Sequence, residues 1–434
     1  MKKVPPSERT REELGRLVRE GVSQGDPRSE LVRLGIRRAI EEALEGAVRD
    51  LLGREYYARR DGGSAGYRNG YRPGRLKSSE GEVPFAAPKV RGVDSRCLSA
   101  LRKSLSGRTE ALEELAIEMY ARGCSTRDIE AVFRNEKGES LLSRTAVSEV
   151  TEALWREYDE FVNRDLSDIR PLYLFLDGIA ERLRPGAKSE AILCAWAITE
   201  GGRKVLVHLA PGTKESTECC RDFLQDLKRR GLADPVLVAT DGAPGLIRAV
   251  EECFPASLRQ RCLAHKMRNI LSKAPAEYQD ELKQAVRAAY QAPSPAVARA
   301  LGEDFVEAYE RNLPSAVRCF QEDFEACIAH LYCPPGHRRW VRTTNLLERL
   351  FLEERRRINA VGTAFGERPV LKLMYGALIR ASESWRRVTI EAFEHHQLDK
   401  LREDMQQQHR HSHAPVVNRE LDSTSNLVYS KKRT

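Results

Sequence analysis

The chain has 434 residues, 41% hydrophobic and 31% charged, with a formal net charge of +8. That is enough for two or three domains of ordinary globular composition. No stretch approaches the roughly 18 uninterrupted apolar residues of a membrane span, and the N-terminal MKKVPPSERTREELG lacks the apolar core of a signal peptide. Ten scattered cysteines without a CxxC pair argue for reduced thiols rather than a zinc ribbon or a disulfide scaffold. The expectation is a bacterial cytoplasmic protein with no membrane partner. The basic excess is modest, 72 Lys and Arg against 64 Asp and Glu, but it is clustered. Arginine clusters point to phosphate and nucleic acid more strongly than a net sum does, a solvated surface being the plain alternative.

In chain order, residues 1–55 carry apolar residues at helical spacing, as in LVRLGIRRAIEEALEGAVRDLLG, and predict one or two amphipathic helices for packing or self-association. Residues 56–105 are rich in Gly, Tyr and Arg, too glycine-rich for helix, with short strand-like pieces around Val83 and Val90. Tyr67, Arg68, Tyr71, Arg72 and Arg75 could track a DNA backbone, or the segment could be a flexible surface loop. Residues 106–165 read as a helix-turn-helix: LEELAIEMYARG, then STRDIEAVF behind a Ser cap, then SRTAVSEVTEALWREY behind another. In such a motif the last helix enters the major groove N-terminus first, which would turn Arg144, Thr145 and Ser148 toward DNA. A structural helical hairpin is the alternative.

From about residue 170, strands are expected at 172–176, 191–199, 204–210, 236–240 and 258–261, with helices at 218–230 and 244–253. This describes an α/β fold, a mixed sheet with helices on its faces. It would be built from residues 166–270 and 340–395 around a helical insertion at 271–339, and residues 400–434 read as a flexible polar tail, mobile from about Gln406.

Three acids stand in settings suited to a metal. Asp177 ends the apolar run LYLFLDG, Asp241 ends VLVATDG, and Glu348 lies in the helical RTTNLLERLFLEERRR. Singly, an Asp-Gly after a strand is a turn and a Glu in a charged helix is a solvated or ion-paired side chain. Together they are what a divalent-metal phosphoryl-transfer site needs, because hard cations take oxygen ligands.

The chain resembles the Mutator-like group of bacterial insertion-sequence transposases. The resemblance is carried by LDG at Asp177, RDFLQDLKRRGL, TDGAPGLIRAVEECFP, QRCLAHKMRNIL and TTNLLER with EERRR, and it reaches back to RNGYRPG, PKVRG and CSTRDIE. It implies an RNase H-like catalytic domain in which Asp177, Asp241 and Glu348 form a DDE triad binding magnesium or manganese, with Glu353 and Glu354 as runners-up for the third acid. Cys262 and His265 match the family's C-x2-H signature. His265 is read near the scissile phosphate or a flanking base, or as a buried helix-capping histidine, and Cys262 as packing at a strand end. Lys266, Arg268, Arg349, Arg355, Arg356 and, more weakly, Arg357 are read as phosphate contacts. The tryptophan usual near Ser216 is absent, and AFGERP replaces the usual Phe-Pro after VG. These departures bear on substrate contacts, not on the triad. The implied function is cleavage and transfer of DNA strands at terminal inverted repeats. The implied partners are double-stranded transposon ends and target DNA, and a second copy of the chain in a dimer on paired ends at the nucleoid. A domesticated DNA-binding regulator and an RNase H-like nuclease or junction resolvase are the rivals.

Overall fold

The computed structural model describes residues 4–21, 26–58, 66–134, 138–181, 190–212, 217–344, 351–352, 356 and 367–412. Their contacts separate two units. One runs to Glu157 and takes in Arg356 and Lys372–Gly376; the other begins at Tyr158.

In the first unit, α1 (Pro6–Glu20) and α2 (Pro27–Leu52) realise the two expected helices. Asp26 caps α2 by accepting a bond from the Arg28 amide, Pro27 fits the first turn, and Gly53 closes the helix at φ 63°. Ile40, Leu44, Val48 and Leu52 recur at helical spacing and pack with Phe85, Ala87 and Leu98. Glu41 is fully buried among them but not isolated. Thr10 Oγ1 donates to it at 2.6 Å and the Ala86 amide at 3.0 Å, so the carboxylate is not left unsatisfied.

The Gly-, Tyr- and Arg-rich segment is neither a loop nor a pair of short strands. It forms a long antiparallel hairpin, β1 (Tyr67–Ser78) and β2 (Gly81–Arg91). Its glycines serve strand geometry. Gly70, at φ 74°, lies where the register shifts between Arg68 and Tyr71, and a β-carbon on Gly74 would fall 2.3 Å from the Phe85 ring. After α3 (Arg96–Ser104), the two-residue β3 (Gly107–Arg108) pairs parallel to β1.

Three helices follow: α4 (Glu110–Ala121), α5 (Thr126–Val132) and α6 (Arg144–Asn163). Thr109 caps α4, and a Ser125–Asp128 capping box starts α5. Leu112, Ala116, Ile129, Leu142, Val147 and Leu154 form their shared core with Leu373. The tight turn lies between α4 and α5. The α5–α6 connection passes through an Arg134–Ser140 bridge, longer than the 3–4-residue turn of a helix-turn-helix.

The second unit is built on a five-stranded sheet of β4 (Pro171–Glu181), β5 (Glu190–Thr199), β6 (Lys204–Gly212), β7 (Leu237–Thr240) and β8 (Leu258–Arg261), in the order β6-β5-β4-β7-β8. The β4–β5 and β5–β6 pairs are antiparallel; β4–β7 and β7–β8 are parallel. Leu174, Leu176, Leu193, Ala195 and Val238 pack against Phe223, Leu224 and Leu227 of α7 (Thr217–Arg229) and Leu246 and Val250 of α8 (Pro244–Cys253). On alternate residues, Phe175 stacks on Trp196 with ring centroids 4.0 Å apart, and Trp385 lies beyond it. Tyr173 shares a 2.6 Å hydrogen bond with His337. Both faces are covered, which is why these strands read as unbroken apolar runs.

After α9 (Leu263–Leu271), the segment expected as a helical insertion, 271–339, carries α10 (Gln279–Tyr290), α11 (Pro295–Tyr309), α12 (Pro314–Gln321) and α13 (Phe324–Ile328), and α14 (Arg338–Val341) begins at its end. Tyr290, Phe305, Val317 and Phe320 lie in its core. It docks on the edge strand β8: Arg259 pairs with Asp323, and Gln260 bonds the Cys327 carbonyl and the His330 amide. A C-terminal helix, Ala392–Ser412, takes up the first residues of the segment expected to be mobile from Gln406, and the rest of that expected tail, 413–434, lies outside the described residues. Leu398 buries its side chain, Arg402 reaches Glu200 at 3.1 Å, and the Leu, Gln, Glu and Arg of the segment are good helix formers, with basic residues in its last turn.

Candidate active site

Strands β4 and β7 run parallel with Leu176 opposite Thr240, so the next residue on each is an aspartate. Neighbouring strands lie about 4.8 Å apart, and the shared register sets Asp177 and Asp241 level where the β4–β7 pairing ends. Asp241 follows the last residue of β7, whereas Asp177 does not end its strand as expected, because β4 runs on to Glu181 against β5. Asp177 is 5% exposed and accepts the Gly178 amide at 2.9 Å. Asp241 is half-buried and accepts the Ala243 amide at 3.0 Å, turning the chain into α8. Two adjacent carboxylates offer the hard oxygen donors that magnesium or manganese takes, and the donor set fits such an ion. Glu348, Glu353, Glu354, Arg349, Arg355 and Arg357 lie outside the described residues. Among the described residues no group of three or more ligands is assembled.

Cys262 follows β8 and is fully buried. Its amide donates to the Thr240 carbonyl at 2.8 Å, and its sulfur accepts the Thr344 amide at 3.4 Å and the Thr344 hydroxyl at 3.5 Å. The Leu263 amide donates to the Arg342 carbonyl at 2.9 Å. The chain approaching TTNLLER is thereby pinned to the strand next to Asp241. Burial alone would raise the Cys262 thiol; hydrogen bonds from His265 and Thr344 outweigh it and hold the thiol below its usual range. His265 is held above its usual value by its bond to Cys262, against burial, and the Asp177 charge acts in the same sense. That coupling puts His265 within electrostatic reach of Asp177.

The expected DNA contacts divide. Arg144, Thr145 and Ser148 are exposed on the first turns of α6, with Arg144 bonded to Glu130 at 3.0 Å. Arg268 and Arg356 are exposed. Lys266 is not available: it is 3% exposed and its ammonium donates to the Glu322 carbonyl, because α9 turns that face into the insertion core. Arg68 is likewise taken up by the fold, bonding the Arg54 and Glu55 carbonyls. Sequence reasoning passed over Arg261 and Thr344, although both stand in segments it singled out.

Fold and site together define an α/β protein with an aspartate on each strand where a parallel pairing ends. The family model described as Transposase, Mutator family, matches residues 10–388, and the chain belongs to that family. It is similar to the transposase for insertion sequence element ISRM5 of Rhizobium meliloti (strain 1021), 29% identical over 371 residues, 85% of this chain and 91% of the relative. It is 30% identical over 278 residues, 64% of this chain and 86% of the relative, to the transposase for insertion sequence element IS6120 of Mycolicibacterium smegmatis. The transposase for insertion sequence element IS256 in transposon Tn4001 of Staphylococcus aureus is 27% identical over 322 residues, 73% of this chain and 82% of the relative. Among the described residues no helix is long and apolar enough to cross a membrane.

Proposed function

We propose that this chain binds the terminal inverted repeats of an insertion sequence and catalyses metal-dependent DNA strand cleavage and strand transfer, with Asp177, Asp241 and Glu348 as the acids of a DDE site. The observation that carries the reading is the parallel β4–β7 register, which sets two acids far apart in sequence at the same level on neighbouring strands. The sheet order, with three antiparallel strands followed by two parallel ones, supports an RNase H-like catalytic domain. The three-helix unit α4–α6, with Arg144, Thr145 and Ser148 exposed, supports a DNA-binding role for the N-terminal region.

Asp177 and Asp241 would hold magnesium or manganese, with Glu348 completing the set. The ion, when bound, polarises the phosphodiester and lowers the pKa of the attacking oxygen. The chain's own residues keep the two carboxylates level, bury Asp177 and tie the approach to Glu348 onto Cys262. Arg268, Arg349, Arg355 and Arg356 would hold flanking phosphates, on paired ends in a dimer.

The test is cleavage and joining of end duplexes in magnesium by Asp177→Asn, Asp241→Asn and Glu348→Gln. Each should lose both activities while keeping end binding. Cleavage at the wild-type rate by any one of them would remove that residue from the site.

A further inference from the structure

The three last residues of β8 are treated differently by the fold. Arg259 is committed to Asp323 and Glu251, and Gln260 to the insertion backbone. Arg261, opposite Thr240 and therefore one strand away from Asp241, has no hydrogen-bond or ion-pair partner for its side chain among the described residues, and its Nε is buried. The guanidinium is nevertheless closely seated. A β-carbon at position 242 would fall 0.9 Å from Arg261 Nη1 and 1.7 Å from Cζ. Gly242, at φ 85°, thus serves two ends: it turns the chain after Asp241, and its bare α-carbon is the seat on which the guanidinium lies.

A half-buried cation seated on the turn that follows Asp241, with its donors unspent, is suited to an anion that arrives later. We propose that Arg261 contacts the phosphate being cut, binding one of its non-bridging oxygens. This rests on the strand-cleavage reading above. In that cleavage the oxygen of water forms a bond to phosphorus and gives up a proton to solvent while the bond from phosphorus to the 3′ oxygen breaks; the 3′ oxygen leaves with the electron pair and takes up a proton from solvent. Negative charge on the non-bridging oxygens is greatest where both bonds are partial, and a fixed guanidinium at that position stabilises this state more than the bound substrate. A merely structural Arg261 would instead balance the two carboxylates and have no relation to any one phosphate oxygen.

The experiment is a cycle between enzyme and substrate, read as single-turnover cleavage of a bound end duplex. The full chain and Arg261→Gln are each given the native duplex and duplexes carrying a neutral methylphosphonate, of either stereochemistry, at the cut position. On native DNA, Arg261→Gln is expected to lose roughly 10²–10³-fold, the usual cost of removing one such donor, with end binding kept. One methylphosphonate stereoisomer should cost the wild type a similar factor and cost Arg261→Gln no more than about threefold further. Losses that multiply for both stereoisomers, or native cleavage by Arg261→Gln at the wild-type rate, would overturn the proposal. If Arg261→Gln lowers the melting temperature, the same cycle is run with Arg261→Lys, which keeps the charge without the planar fork and decides by the same criterion. Asp241→Asn runs alongside: its cleaving native DNA normally would instead sink the reading of the acids, separately from the outcome for Arg261.

Discussion

The two sheets of this protein carry opposite relations between sequence and burial. Strands β4, β5 and β7 are covered on both faces, and their residues are almost all apolar. Hairpin β1–β2 is covered mainly by α2 and α3, so β1 is mostly exposed or half-buried along its length. Where a strand is buried on both faces, a polar residue stands out, and Asp177 does. Where a strand is half solvated, an Arg or Tyr is ordinary surface. A carboxylate within a buried strand therefore says more about chemistry than a basic residue in the hairpin.

The largest effect expected from that contrast is on catalysis. Asp177→Asn or Asp241→Asn should reduce strand cleavage by on the order of 10³-fold or more with the melting temperature nearly unchanged. Arg75→Ala in the hairpin, where the exposed side chain faces Glu82 at 3.4 Å, should leave single-turnover cleavage within about threefold, since exposed ion pairs contribute little. Comparable losses at both places would break the comparison.

Stability should follow the same division. Leu174→Ala removes a fully buried side chain from the doubly covered sheet and should cost about 2–5 kcal/mol in denaturant unfolding. Gly74→Ala pushes a methyl group into the Phe85 ring and should cost about 1–3 kcal/mol through overpacking. A smaller loss for Leu174→Ala than for Gly74→Ala would put the stronger packing in the hairpin.

Acid sensitivity sharpens the distinction, because the buried histidines His208, His330 and His337 belong to the five-stranded unit. Burial, reinforced for His208 by Arg230 at 3.1 Å, lowers His208 to about 4 even with Asp226 at 3.6 Å; burial likewise lowers His330 to about 4. The unfolded chain takes up these protons near pH 6.5 and the folded one only near 4, so stability is lost as pH falls through that window. Each site can contribute up to roughly 3 kcal/mol at full extent. Urea midpoints at pH 7 and 4.5 should differ, and His208→Asn should reduce the difference. An unchanged difference would mean that His208 is already protonated in the folded protein.

The order of strands and helices from 171 to 261 was legible because both-face burial writes itself as apolar runs; that β4 continues past Asp177 to Glu181 was not, because DGIAE breaks the apolar run. The hairpin was not, because Gly70, Gly74 and Gly81 look like loop residues until one sees that they relieve a register shift, admit Phe85 and make the turn. Arg261 was hidden for a related reason. Its position depends on the absent side chain of Gly242, and a DG pair in a sequence announces a turn rather than a seat. The C-terminal helix was obscured by sparse apolar spacing, Leu398 supplying a fully buried anchor. Lys266 could not be told from a surface lysine until the insertion carbonyl that receives it was in place.

The smallest effect concerns recognition. Arg144 stands at the start of α6, exposed, with its guanidinium tied to Glu130 and Glu130 held below its usual range chiefly by that bond. If Arg144 reads a base edge, it must exchange this carboxylate for DNA, so its contribution is the difference between two charge-assisted bonds. Arg144→Ala should therefore weaken binding to transposon-end duplex by roughly tenfold, at the low end for a specific base contact, and leave binding to random duplex almost unchanged. Glu130→Gln should release the guanidinium and tighten end binding slightly, with a steeper dependence on salt. Equal weakening on end and random DNA by Arg144→Ala would make Arg144 a backbone contact, and no change on either would return α4–α6 to a structural role.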